Sequence, residues 1–235
     1  MLYAEVTQPI DISDFSRENM FKIMDSYYKN MKREKFETDL AEKTYVILLK
    51  NCENEIVGFT TLLLWDLYVD GIAIKGLYSG DTIVQKAYWG QTKLQSVLGK
   101  LMVQIYQEHT DSLVYWLLSS KGYKTYGMLP LYFLHFYPAY GQETPCFEKK
   151  IIDTYGVLKF GSSYEPVAGI AVNSGDRDYL REGVAELTET KLANKHIEFF
   201  REKNPGFTKG DELLCVAQMG INNFRPVVRR FMQYG

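Results

Sequence analysis

Residues 85–91, QKAYWGQ, form a polar turn with one glycine between a predicted strand and a predicted helix. The helix is indicated by apolar residues at helical spacing: Leu94, Val97, Leu98, Leu101 and Ile105. The first backbone N–H groups of a helix have no intrahelical partner and carry partial positive charge, so this turn could hold a phosphate. An ordinary strand–turn–helix unit of an α/β domain would have the same spacing, and both interpretations stay open at this point.

The residues before the turn predict the elements that position it. A first helix is expected to be capped by Asp14 or Ser16, and a second helix covers residues 33–43. Three antiparallel strands follow as a meander over residues 44–50, 56–68 and 72–84. After the helix that follows the turn, residues 112–120 are apolar on both faces, which is typical of a strand inside a sheet.

The C-terminal half predicts further helices and one more long strand. A helix is expected from Lys124 to Pro138, kinked or begun at Pro130, and another opens at residues 144–145. Later segments are a short strand, a long amphipathic helix capped by Asp176 and a final strand, over residues 167–172, 176–204 and 212–219. We expect a single domain, with residues 1–140 as its core and residues 141–235 as a helical extension whose late strands complete the sheet.

Composition limits the function classes. The net charge of −2 gives no signature of a nucleic-acid-binding protein. Three isolated cysteines, Cys52, Cys146 and Cys215, argue against a structural metal site or a disulfide framework and fit a reducing compartment. The N-terminus lacks the apolar core of a signal peptide, and no apolar run is long enough for a transmembrane segment. These features predict a cytoplasmic protein without a bound metal.

The order of elements resembles that of the GNAT superfamily of acyltransferases, and the chain looks like a remote member. The resemblance is carried by SGDTIV (79–84), AYWGQTKL (87–94), the helix that follows and YWLLSS (115–120). It implies an α/β (α+β) fold with a mixed, mostly antiparallel central sheet and helices on both faces. It also implies that the first strand pairs with an acyl-pantetheine arm, the turn cradles the pyrophosphate of coenzyme A, and the next strand splays away to admit the thioester. The implied donor-binding residues are Ile83, Val84, Trp89, Gly90, Gln91, Thr92 and Lys93.

The turn departs from the family pattern. Aligned on Gly90, the usual arginine or glutamine falls on Trp89, the next glycine on Thr92 and the small residue on Leu94. Side chains then occupy space that a pyrophosphate would need. The turn either takes acyl-phosphopantetheine on an acyl carrier protein in place of acyl-CoA, or binds nothing. The resemblance therefore implies an N-acyltransferase acting on a small-molecule or peptide amine; the alternative is a non-catalytic module that binds a metabolite or a protein partner.

Acyl transfer from a thioester to an amine requires a neutral amine, donors for the oxyanion and an acid for the leaving thiolate. Asp81 could accept the ammonium proton, or could be a solvated turn carboxylate. Tyr132 and Tyr137 fall on the predicted helix where family members often place the tyrosine that protonates the thiolate; core packing is the alternative. His135 is either a proton shuttle or an ordinary, partly buried histidine.

Four further residues are expected to contact substrate: Ser79, Ser119, Ser120 and Tyr123. A cluster of aromatic residues between positions 115 and 140 would surround the acyl group, which predicts a longer or fatty acyl chain. A well-filled core would account for the same aromatic residues.

Overall fold

The computed structural model describes residues 1–234. Its strands are β1 (Tyr3–Thr7), β2 (Tyr28–Lys29), β3 (Tyr45–Lys50), β4 (Ile56–Val69), β5 (Ile72–Val84), β6 (Leu113–Ser120), β7 (Tyr164–Glu165), β8 (Ile170–Ala171), β9 (Tyr179–Leu180) and β10 (Glu212–Gln218). Its α-helices are α1 (Asp14–Tyr27), α2 (Arg33–Ala41), α3 (Lys93–Glu108), α4 (Tyr123–Tyr126), α5 (Met128–Tyr132), α6 (Cys146–Phe160), α7 (Glu189–Leu192), α8 (Lys195–Lys203) and α9 (Pro226–Arg229).

The main sheet has the strand order β1-β3-β4-β5-β6-β10-β8-β7. Among these described strands the only parallel neighbours are β5 and β6, joined through α3. The other pairs are antiparallel, so the predicted mixed, mostly antiparallel sheet is confirmed. The predicted meander is β3-β4-β5, and the late strand β10 pairs with β6 as expected for completion of the same sheet.

Helices cover both faces of the sheet because side chains alternate between faces along each strand. On β3, Ile47 and Leu49 pack in the cluster that contains α3, whereas Val46 and Leu48 pack in the cluster that contains α1 and α2. The helix α6 lies on the same side as α2, since Lys159 Nζ is 3.1 Å from the Glu42 carboxylate. No helix in the described part of the chain offers the length and hydropathy that a bilayer crossing requires.

Two details at the N-terminal end differ from the sequence prediction. The cap of α1 is Ser13, whose Oγ accepts the Ser16 N–H at 3.2 Å, and not Asp14 or Ser16. The strand β1 was not predicted, and it pairs with β3 from Tyr3 to Thr7. A five-residue edge strand has too few residues to show a clear alternation in sequence.

The predicted helix from Lys124 to Pro138 is wrong beyond Tyr132. Two short helices, α4 and α5, meet at Gly127, and the chain then runs extended. Tyr137 forms a two-way backbone bridge to Val216, with N–O distances of 2.8 and 2.7 Å. A residue that precedes proline disfavours helical backbone angles, and here the open side of β10 supplies partners for the extended chain.

The predicted long helix from Asp176 is also wrong. Residues 179–180 form β9 and pair with β2, and the next helices are the short α7 and α8. Gly183 has φ +83°, a left-handed conformation that cannot continue a helix. Asn194 then caps α8 by accepting the His196 N–H. The segment between β8 and α7 therefore lies as a loop over the end of the sheet where β5 and β6 finish.

Candidate active site

A cleft opens between β5 and β6 because their pairing stops before either strand ends. Ser79 and Leu118 are the last paired residues. Beyond them β5 continues to pair with β4, where Val84 faces Gly58, and β6 continues to pair with β10. Each strand follows its antiparallel neighbour, so the two parallel strands part toward their C-terminal ends, as predicted. We call the space between them the β5–β6 cleft.

The β5–β6 cleft encloses a cavity of about 420 Å³. Its wall combines the diverging part of β5, the residues after β6, the ends of α2 and α6, the turn before α3 and the loop that contains β9. The wall includes Tyr28, Lys35, Asp39, Glu42, Lys43, Tyr78, Gly80, Asp81, Trp89, Ser119, Lys121, Lys124, Lys159, Arg177, Asp178 and Glu212. A cavity of this size, lined by residues of several elements, is typical of a small-molecule site.

Asp81 lies on the diverging part of β5 and lines the cavity. Its backbone N–H donates to Thr61 Oγ1 at 3.0 Å, which fixes the strand. Within residues 1–234 its carboxylate has no hydrogen-bonding or ion-pair partner. Burial raises the pKa of Asp81 to about 6; Asp178 adds to this rise, while Lys121 and Lys43 oppose it. A partly desolvated carboxylate with a pKa near neutrality is suited to accept a proton from an amine.

Lys43 follows α2 in the chain, and its side chain lies against Gly80, the residue before Asp81 on β5. A Cβ placed on Gly80 would lie 2.9 Å from Lys43 Cε and 3.7 Å from Lys43 Nζ, so the glycine makes room for the lysine. The residue is only 7% exposed. Its Nζ donates to the Asp39 carbonyl at 2.6 Å, and burial lowers the pKa of Lys43.

A network of polar side chains forms the part of the wall at the C-terminal end of β6. Ser119 Oγ lies 2.8 Å from the Tyr78 hydroxyl and donates to Glu212 Oε2 at 2.7 Å. Arg177 donates to the other Glu212 oxygen at 3.0 Å, and Lys121 Nζ lies 2.5 Å from Asp178. Burial alone would lower the pKa of Lys121, but Glu212, Asp178 and Tyr28 outweigh it and raise that pKa. This network fixes the shape of the cavity because each charge has a partner.

The turn before α3 forms another part of the cleft. Gly90 has φ +86°, and the first helical bond is from the Ser96 N–H to the Thr92 carbonyl. In the described chain the preceding N–H groups, of Lys93, Leu94 and Gln95, have no acceptor. These free donors at the N-terminus of a 16-residue helix can hold an anion.

Trp89 covers the end of β5 at this turn. Its Nε1 donates to the Val84 carbonyl at 2.7 Å, and the Lys124 Nζ lies 3.1 Å from its ring centroid. Burial, together with the smaller effect of the charges of Lys191 and Lys86, lowers the pKa of Lys124 to about 8. The turn thus gathers cationic side chains beside the free N–H groups of α3.

The residues predicted from the sequence divide into two groups. Asp81, Ile83, Trp89 and Ser119 line the cavity, and Val84, Gly90, Gln91, Thr92 and Lys93 belong to the adjoining strand end and turn. The other predicted residues lie elsewhere. Ser79 and Ser120 are buried, Ser79 Oγ accepting from Trp116 Nε1 and Ser120 Oγ donating to the Gly122 carbonyl.

The predicted tyrosines and histidine are not in the cavity wall. The Tyr132 hydroxyl donates to the Gln95 carbonyl, and Tyr137 packs against the cluster on the α6 side of the sheet. His135 is exposed, with its backbone N–H bound to Asn223 Oδ1, and Tyr123 packs in the core on the α3 side. Apart from the exposed Tyr140, the aromatic residues of positions 115–140 pack in the two cores, and none of them is among the residues that line the cavity.

The sequence did not single out Lys43, Tyr78, Lys121, Arg177 or Glu212. They come from five separate places in the chain, and no short motif connects them. Only Lys121 offered a local signal, as a charged residue directly after an apolar strand.

No protein-family model matches the chain, and no curated protein matches it significantly. Solved structures do match. One is a protein of Enterococcus faecalis V583 described as a probable N-acyltransferase, with 13% identity and a TM-score of 0.42 over 55% of this chain and 32% of that one. Another is a GNAT family N-acetyltransferase from Escherichia coli in complex with CoA, with 13% identity and a TM-score of 0.39 over 51% of this chain and 63% of that one.

A third match is an aminoglycoside acetyltransferase from an uncultured soil metagenomic sample in complex with sisomicin. It has 21% identity and a TM-score of 0.35, over 51% of this chain and 77% of that one. The chain thus spans less than two thirds of the first two proteins, and with TM-scores below 0.5 the similarity is confined to part of the fold. These solved structures are described as acyl- or acetyltransferases.

Proposed function

We propose that the protein is an N-acyltransferase that moves an acyl group from a pantetheine thioester to an amine. The observation that carries the proposal is the β5–β6 cleft, which places the unpaired carboxylate of Asp81 in a cavity between two parting parallel strands. A closed sheet with paired charges would offer neither room for a thioester nor a proton acceptor beside it.

The donor is proposed to enter from the turn before α3. Its phosphate would meet the free N–H groups of Lys93, Leu94 and Gln95, with Lys124 nearby, and its pantetheine arm would run along the unpaired edge of β5. The hydrogen bond from Trp89 to the Val84 carbonyl would then give way to one from the arm. The donor would be acyl-CoA or acyl-phosphopantetheine on a carrier protein.

Starting from an ammonium acceptor, the reaction removes two protons from nitrogen and supplies one to the leaving thiolate. Asp81 would take a proton from the acceptor ammonium, and the neutral amine would attack the thioester carbonyl. As the new C–N bond forms and the C–S bond breaks, the thiolate leaves and takes a proton from water, and the nitrogen loses its second proton to water because Asp81 already holds the first.

The proposed acyl group is short. The wall of the cavity is dominated by charged and hydroxyl side chains, and none of the aromatic residues that predicted a fatty chain is among them. A fatty acyl chain needs a long apolar lining. The cavity volume also favours a short acyl group, because about 420 Å³ must hold both the reacting end of the donor and the acceptor.

The experiment is to measure thiol release from acetyl-CoA and decanoyl-CoA with a panel of amines. We expect release that depends on an amine and is faster with acetyl-CoA. An Asp81→Asn variant that still binds CoA should lose this release. Binding of CoA by the wild-type protein without turnover of any donor would instead favour the non-catalytic binding module.

A further inference from the structure

Most charged side chains on the wall of the β5–β6 cleft form ion pairs with one another, and three do not. The pairs are Lys35 with Asp39, Lys159 with Glu42, Lys121 with Asp178 and Arg177 with Glu212, at N–O distances of 2.7, 3.1, 2.5 and 3.0 Å. Within residues 1–234, the charged groups of the wall without an oppositely charged partner within 4 Å are Asp81, Lys43 and Lys124. Lys124 stands at the Trp89 end, beside the turn proposed for the donor phosphate.

Lys43 and Asp81 both line the cavity. Lys43 is only 7% exposed. Its ammonium has three N–H donors, and one of them donates to the Asp39 carbonyl. The nearest β5 residue is Gly80, directly before Asp81 in the chain. One cation and one anion, neither with an oppositely charged partner within 4 Å among the described residues, therefore border the same cavity.

A buried ammonium without a carboxylate is costly, and the cost is removed when a ligand brings an anion to it. The same holds for a buried carboxylate and a ligand cation. A small molecule with a positive and a negative group a few bonds apart would satisfy both. A polyamine would satisfy Asp81 but bring further positive charge to Lys43.

We propose that the acceptor is an amino acid whose carboxylate binds Lys43 Nζ while its amino group meets Asp81. This rests on the proposed function, and it deepens that function by naming the acceptor class. Lys43 then fixes the amine in front of the thioester carbonyl, and an amine without the carboxylate lacks that anchor. The low pKa of Lys43 before binding, caused by burial and by Lys159, would rise when the carboxylate arrives.

The test compares each amino acid with its own amide, in which the carboxylate is neutral and the amine is unchanged. Calorimetry without any acyl donor measures binding, and thiol release from acetyl-CoA measures turnover. For at least one amino acid we expect binding about 10- to 100-fold tighter than that of its amide, the range given by a charged hydrogen bond. In turnover, the same preference should appear mainly in KM.

The variant Lys43→Met removes the charge and keeps the length of the side chain. We expect it to lower amino-acid affinity to that of the amide, and Lys43→Arg to restore most of the difference. The exposed Lys22→Met on α1 controls for net charge. Because Lys43→Met removes an unpaired buried charge, the fold should be at least as stable.

Two results would overturn the inference. One is equal binding of every amino acid and its amide by the wild-type protein, and the other is an amino-acid preference that survives Lys43→Met. Absence of thiol release from every donor would count against the proposed function, whereas the binding arm would still decide on the acceptor class.

Discussion

Ser79 on β5 faces Leu118 on β6 in the last register position that the two strands share. One residue further, Gly80 already lies against Lys43 in place of a β6 neighbour, and Asp81 lines the cavity. The β5 residues that directly follow the last β5–β6 pair therefore line the candidate active site.

The ionised carboxylate of Asp81 should destabilise the folded protein at neutral pH. Its pKa is about 6 in the folded state against an ordinary 3.8, so the folded state holds this proton more tightly than the unfolded one. The penalty is absent below about pH 4, grows between pH 4 and 6, and is complete above. Asp81→Asn should therefore raise the free energy of unfolding at pH 7 by up to about 3 kcal/mol, with no gain at pH 4.

Urea denaturation of both proteins at the two pH values measures this difference. The exposed Asp111→Asn is the control, and it should change stability little at either pH. A loss of stability at pH 7 in Asp81→Asn would mean that the carboxylate has a favourable partner in the folded state.

Negative charge at Gly90 should weaken donor binding. Gly90 has φ +86° and open space around its Cα, so Gly90→Asp and Gly90→Asn impose the same backbone strain and differ only in charge. We expect CoA to bind the aspartate variant at least about tenfold more weakly than the asparagine variant, because a carboxylate would face the phosphate. Equal affinities in calorimetry would place the phosphate elsewhere.

Donor binding should change the fluorescence of Trp89. Its indole donates to the Val84 carbonyl on the edge of β5 that the pantetheine arm would need, and its ring packs under Lys124. A titration with CoA should alter the emission of the wild-type protein and leave Trp89→Phe unchanged. Trp65→Phe is the matched control and should keep the response. A response that persists in Trp89→Phe would contradict the proposed path of the donor.

Much of the frame of the site could be predicted from sequence because local patterns specify it. The periodicity of Leu94, Leu98 and Leu101 predicted α3, and the apolar run ending at Ser120 predicted β6. Asp81 stood out as the one acid near the end of the strand before the turn. The placement of these elements as a parting parallel pair followed from the strand–helix–strand crossover.

The rest depended on contacts between distant residues. Periodicity suggested a helix through Tyr137, but the bridge to Val216 in β10, 79 positions away by sequence number, makes that segment extended. The chain order likewise gives no indication that Lys43 reaches Gly80 or that Ser119 binds Glu212. Such pairings are decided by packing, so the residues that complete the cavity could not be read from spacing.

The tyrosine that affects turnover should be one that reaches the cavity. Tyr78 lines the cavity with its hydroxyl on Ser119, whereas the hydroxyl of Tyr132 donates to the Gln95 carbonyl and Tyr137 packs on the α6 side. We expect Tyr78→Phe to lower kcat by about tenfold or more, within the range of a general acid or of a group that positions one. Tyr137→Phe, which keeps the ring, serves as the comparison. A loss of turnover in Tyr137→Phe with full activity in Tyr78→Phe would favour the residue first predicted from the sequence.

The most direct measurement is the pH dependence of kcat/KM for amide formation from acetyl-CoA and the best amine of the panel, in the wild-type protein and in Asp81→Asn. We predict that the wild-type value rises with pH through an apparent pKa of about 6, the value given by the burial of Asp81. Asp81→Asn should be lower by about 10²-fold or more while it still binds CoA. Amide formation by Asp81→Asn at the wild-type rate, or no amide from any donor and amine with the wild-type protein, would contradict the account.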